Sequence, residues 1–129
     1  GYRDLARLQA AGELAQRDPK AATEAYDVLA ADTRMSETMR DLAAVRGGFL
    51  LVDTAPYEDL RRRLEPATGL ERPFRNSARE LLALSALRAN DTATARKWFQ
   101  QIVTDLGAPA GLRQRIEMLM ALAADNGNS

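Results

Sequence analysis

Apolar residues along the chain recur three or four positions apart, the spacing that lays one stripe along an α-helix. Leu5, Leu8, Ala11 and Ala15, with Ala10 and Leu14 beside them, predict a first helix over about residues 2–17. Ala22, Tyr26 and Leu29 predict a second over 19–31. Met39, Leu42, Val45, Phe49 and Val52 predict a third over 36–52, with Ser36 as its N-cap. Tyr57, Leu60 and Leu64 predict a short fourth over 56–64. The fifth, over 74–89, is the most apolar, with Leu81, Leu82, Leu84 and Leu87 set among alanines; it is expected to be buried on most sides. Ala95, Trp98, Phe99, Ile102 and Val103 predict a sixth that follows Asp91 and reaches about residue 106. Leu112, Ile116, Leu119, Met120 and Ala123 predict a seventh over 110–124. No long run alternates with period two, so the fold class is all-α.

The breaks between these segments carry stop and start signals. Asp18 and Pro19 end one helix and begin the next, because proline disfavours helical geometry before it and suits the first helical position. Residues 53–56 repeat that signal, and residues 66–73, with two prolines and a glycine, predict the longest loop. Gly47 and Gly48 inside the third helix are read as a close helix contact in preference to a hinge.

A longer period overlies the helical one. Asp18 is followed four residues later by Ala22 and then by Tyr26; Asp91 is followed in the same way by Ala95 and Phe99. A weaker copy has Pro56 in the alanine slot and Leu60 in the aromatic slot. The matching small residue of each preceding helix is Ala10, Ala44 or Ala83. A helix pair recurring every ~34 residues is the signature of a tetratricopeptide array, and the spacing here is roughly 34–39. The expected architecture is a tetratricopeptide-like right-handed array of three helix hairpins over residues 1–124, closed by a C-terminal capping helix. A disordered tail is expected over 125–129.

Four stretches sharpen the comparison: LVDTAPY at 51–57, SARELLAL at 77–84, ARKWF at 95–99 and APAGLRQR at 108–115. They resemble the tetratricopeptide-like domain of a bacterial membrane-anchored family that includes the ancillary subunit of the Sec translocon, a relative of a cell-division coordinator. The resemblance implies a scaffold on the periplasmic side of the inner membrane, tethered by an N-terminal helix that this chain lacks. It supplies no set of functional residues. The chain opens at Gly1 already within a helical pattern, which reads as a domain excised from a longer protein.

Composition narrows the chemistry. Lys and Arg number 18, as do Asp and Glu, so the net charge is zero, which gives no electrostatic footprint for nucleic acid. The chain has no cysteine and no histidine, which removes thiolate chemistry, the commonest general base and most metal-ligand patterns. No glycine-rich phosphate loop or nucleophile elbow occurs. The expectation is therefore no enzyme, no cofactor and no metal, but a protein or peptide partner.

In such an array the first helix of each pair lines the concave side. That places Arg7, Ala11 and Leu14 there from the first unit, Asp41, Val45 and Phe49 from the second, and Glu80, Leu84, Leu87 and Arg88 from the third. They would form an apolar strip edged by charge, suited to an extended peptide or partner helix. The competing reading is that the apolar members are core or are covered by the seventh helix. Trp98, next to Phe99, is a second candidate contact or else packs inside. The run Arg61, Arg62, Arg63 splays around a helix and reads as a solvated face, with a phosphate or head-group contact as the alternative. A homo-oligomer or a spacer domain is the alternative function.

Overall fold

Side-chain caps set three of the helix starts. In the computed structural model, which describes residues 1–127, the Ala21 amide donates to Asp18 (3.1 Å), the Met39 amide to Ser36 (3.2 Å) and the Thr94 amide to Asp91 (3.1 Å). Each cap satisfies a donor that the first turn leaves without a partner. The helices are α1 (Tyr2–Ala15), α2 (Pro19–Ala31), α3 (Glu37–Leu51), α4 (Tyr57–Leu64), α5 (Arg75–Arg88), α6 (Thr92–Val103) and α7 (Ala110–Gly127). A 3-10 helix, Glu65–Thr68, lies within the region expected as loop. Among the described residues there is no strand, and the fold is all-α. The α7 helix runs three residues into the expected tail; residues 128 and 129 lie outside the described part.

Each helix packs against the next in sequence, and the apolar residues gather into three clusters along the chain. Tyr26 belongs to the first with Leu8, Leu29 and Met35. Leu60 belongs to the second with Leu64, Leu81 and Leu82. Phe99 belongs to the third with Ala86, Ile102 and Ile116. All three recurrent residues are buried, as are Ala22 and Ala95 four positions before Tyr26 and Phe99.

Two expectations about buried faces need correction. Phe49, placed in the apolar stripe of the third helix, is 70% exposed. The buried face of α3 carries Ala43, Gly47 and Gly48 instead, because α3 lies against both α2 and α4 and only small residues fit at the close approaches. A Cβ added at Gly47 would stand 3.2 Å from Tyr26 Cβ, and one at Gly48 would stand 3.0 Å from Leu64 Cδ1. The second correction is at α1, where Leu5 and Ala10 are exposed and Ala11 is buried in the small-residue place. The hairpin turns account for the shift. Between α5 and α6, Asn90 adopts the left-handed conformation (φ 62°), and the Asp91 amide reaches back to the Ala86 carbonyl at 2.9 Å. Between α1 and α2 no residue has positive φ, and the Asp18 amide reaches only to Leu14 (2.8 Å). The first turn therefore leaves α1 rotated by about one residue relative to α5.

The α6 helix stops at Val103, short of the expected boundary, because Asp105 turns inward. Its carboxylate accepts from Arg75 Nε (2.6 Å), Arg79 Nη1 (2.8 Å) and the Gly107 amide (2.8 Å). This ties the turn before α7 to the first half of α5.

Candidate binding grooves

Both α1 and α3 pack on α2 but touch each other only marginally. An apolar groove of about 360 Å³ opens between them. Tyr26 of α2 lies at its base, Gly12 and Ala15 of α1 form one wall, and Val45, Phe49 and Leu50 of α3 form the other. Arg46 is the charged residue on its rim. The groove exists because α1 presents small residues where a larger side chain would close the gap.

A second apolar groove, about 330 Å³, runs along α1 and α2 between Leu14, Ala10, Ala25 and Val28. Arg7 sits at its edge and donates to Asp32 at 2.9 Å. Asp32 also accepts from the Arg34 side chain (3.1 Å) and the Arg34 amide (3.0 Å). The Arg34 side chain, then Arg7 and the Arg34 amide, hold the Asp32 carboxyl well below the usual carboxylate range.

A third cleft, about 390 Å³, is polar and lies between α2, α3 and the α4 region. Its floor is Ala30, Ala31, Ala44 and Pro66. Asp41 faces it and accepts from Arg72 Nη1 at 2.7 Å; Arg72 Nε also meets Glu37 at 3.1 Å. Arg63 pairs with Asp27 across the same cleft, and Arg62 pairs with Asp59 on its own helix. The Arg40 side chain, also in the wall, forms no hydrogen bond or ion pair among the described residues, and its Nε is buried without a partner. The arginine run is thus divided: Arg61 bridges Glu58 and Glu65, while Arg63 and the solvent-exposed Arg62 border the cleft.

The residues assigned to one concave strip are spread over these sites. Arg7 and Leu14 share the second groove, Val45 and Phe49 the first, and Asp41 lies in the polar cleft. The four from the third unit line none of them. Glu80 pairs with Arg115 of α7, Leu84 and Leu87 pack in the C-terminal cluster, and Arg88 donates to the Ala55 carbonyl at 2.7 Å. Trp98 packs between the second and third clusters, its indole N–H donating to the Tyr57 hydroxyl at 2.9 Å. That bond joins α4 to α6 and explains why Trp98 is half-buried beside the fully buried Phe99.

Sequence reasoning missed Arg40, Arg72 and the Arg75–Asp105–Arg79 cluster. Single charged residues inside helical patterns read as surface, and these partners are about 30 positions apart. Asp105 follows Thr104 inside the predicted sixth helix, so no local signal marked a turn there. Among the described residues no group of His, Cys, Asp and Glu side chains is arranged to hold a metal ion, and no helix is long and apolar enough to cross a membrane.

Comparison with protein-family models, curated proteins and solved structures found no match for this chain.

Proposed function

We propose that this chain is a protein–protein interaction scaffold that takes an extended apolar segment of a polypeptide into the groove between α1 and α3. The observation that carries the reading is Phe49, a large aromatic left 70% exposed on the wall of an otherwise apolar groove. Rigid aromatic anchors in desolvated pockets dominate binding energy at protein interfaces. The proposal includes the finer architecture: α1–α2, α3–α4 and α5–α6 are the hairpins of a tetratricopeptide-like array, and α7 caps it. Sequential helix packing and the burial of Tyr26, Leu60 and Phe99 in successive clusters support it. Placement at the periplasmic face of the inner membrane, in protein translocation or envelope chaperoning, rests on the family resemblance of residues 51–57, 77–84, 95–99 and 108–115.

A peptide array of extended apolar segments tests the reading, with the Phe49→Ala protein as control. Covering a phenyl ring is worth about 1.5–3 kcal/mol, or roughly 10- to 100-fold in affinity. The expected result is segments that bind the parent protein and lose at least about tenfold with the variant. Equal binding by the two proteins contradicts the groove as the docking site.

A second reading, self-association, is favoured by Met118 and Leu122 on α7, which are 66% and 56% exposed. Light scattering separates the two: a concentration-independent monomer mass removes self-association, and a dimer dispersed by Leu122→Glu establishes it.

A further inference from the structure

The polar cleft between α2, α3 and α4 carries a charge balance that the groove reading does not use. Arg63 is matched by Asp27, and Arg72 by Asp41 and Glu37. Arg40 has no such match among the described residues, and Arg62 is matched only by Asp59, which the cleft wall does not include. The cleft therefore holds one cation in excess. It also holds a concrete defect: the Arg40 Nε–H is removed from solvent with no acceptor. The terminal amino groups of the same guanidinium also have no partner among the described residues but are not closed off from solvent, so an acceptor entering the cleft can pair with them.

We infer that this cleft is a binding site for a single carboxylate group, held by the Arg40 guanidinium with Arg62 adding charge at the rim. A guanidinium offers parallel N–H groups in a fork that matches a carboxylate's two oxygens. The neighbouring Asp27, Glu37 and Asp41 decide against a more highly charged anion. Each is already paired with an arginine, yet each still repels an approaching anion, and a phosphate dianion doubles that repulsion. The floor of Ala30, Ala31, Ala44 and Pro66 suits a short aliphatic body behind the carboxylate. A volume of about 390 Å³ accommodates a small organic acid or the last residues of a polypeptide, and falls within the range of small-ligand sites. This site lies on the face of α3 away from Phe49, so it does not depend on the apolar groove being occupied.

The test follows the Arg40 Nε–H resonance in nitrogen–proton correlation spectra of the labelled chain, assigned by its disappearance in Arg40→Gln. The probes are N-acetyl-trialanine with a free C-terminus, the same peptide as its C-terminal amide, sodium acetate and inorganic phosphate. The expected result is a saturable shift with the free acid and at least a tenfold weaker response to the amide. Tighter binding of the peptide acid than of acetate identifies a polypeptide terminus as the source; equal binding identifies a small organic acid. No saturable shift with either carboxylate, equal response to acid and amide, or saturation at lower concentration with phosphate overturns the proposal. Arg40→Gln and Arg40→Lys, each with unchanged far-ultraviolet circular dichroism, are expected to lose at least tenfold, read from the other cleft resonances. The lysine variant keeps the charge but not the fork, so unchanged affinity in it also overturns the assignment.

Discussion

Gly47 shows how closely two helices meet in this molecule. Its missing side chain lets Tyr26 Cβ come within 3.2 Å of where a Cβ would stand, and that partner atom lies too close to the α2 backbone to swing away. Gly47→Ala gains about 1 kcal/mol of helix propensity but overpacks a site where such strain costs about 1–3 kcal/mol. We expect a net destabilisation of about 1 kcal/mol, measured by urea denaturation. A stabilised variant would mean that α2 and α3 can move apart. Phe49→Ala, by contrast, is expected to stay within ~0.5 kcal/mol of the parent, because the ring is already in solvent. Asp105 is the opposite case, with a side chain only 4% exposed between two arginines. The Arg75 hydrogen bonds above all, then the Gly107 amide and Arg79, hold its carboxyl well below the usual carboxylate range against the opposing effect of burial. A depressed folded pKa contributes stability that is complete above the unfolded value of about 4 and lost as pH falls through the folded value. Stability should therefore decline below roughly pH 4, and Asp105→Asn should make that decline shallower. The same variant should lower stability at neutral pH by about 3 kcal/mol, since it leaves the buried Arg79 and the partly buried Arg75 without a counter-charge. An acid titration of unfolding free energy with unchanged slope in the variant would contradict this.

At the scale of the element, most helix ends were legible because local chemistry sets them. Asp18 with Pro19, and Ser36, start helices where they should, and α2 was bounded correctly at both ends. The end of α6, which fell short of its expected place, was decided by partners far away in sequence. Asp105 shortens α6 because arginines on α5 draw it inward, and no nearby residue announces that. The buried face of α3 was misjudged for a related reason. Large apolar residues mark a core stripe when a helix packs on one side, but α3 packs on two, and its small residues take the close contacts. That displacement leaves Val45 and Phe49 on a groove wall. Both were legible as candidate contacts, whereas Glu80, Leu84 and Leu87, placed with them by repeat register, are engaged within the C-terminal helices, and Arg88 reaches back to Ala55.

Across the whole molecule, the three clusters follow one another along the chain, and contacts join mainly neighbouring helices. Among the described residues, cross-links between clusters include the Trp98–Tyr57 bond, the Arg88 bond to Ala55, the Arg72 bridge to α3 and the Arg63–Asp27 pair. On the proposed reading, helices packed in sequence leave grooves between them that can hold a segment of polypeptide. The most direct measurement is backbone amide chemical-shift mapping of the labelled chain with an apolar peptide selected on the array. The account predicts shifts concentrated at Gly12, Tyr26, Val45 and Phe49 and their abolition by Phe49→Ala. Shifts confined to α7, or spread evenly and unchanged by the substitution, would contradict it.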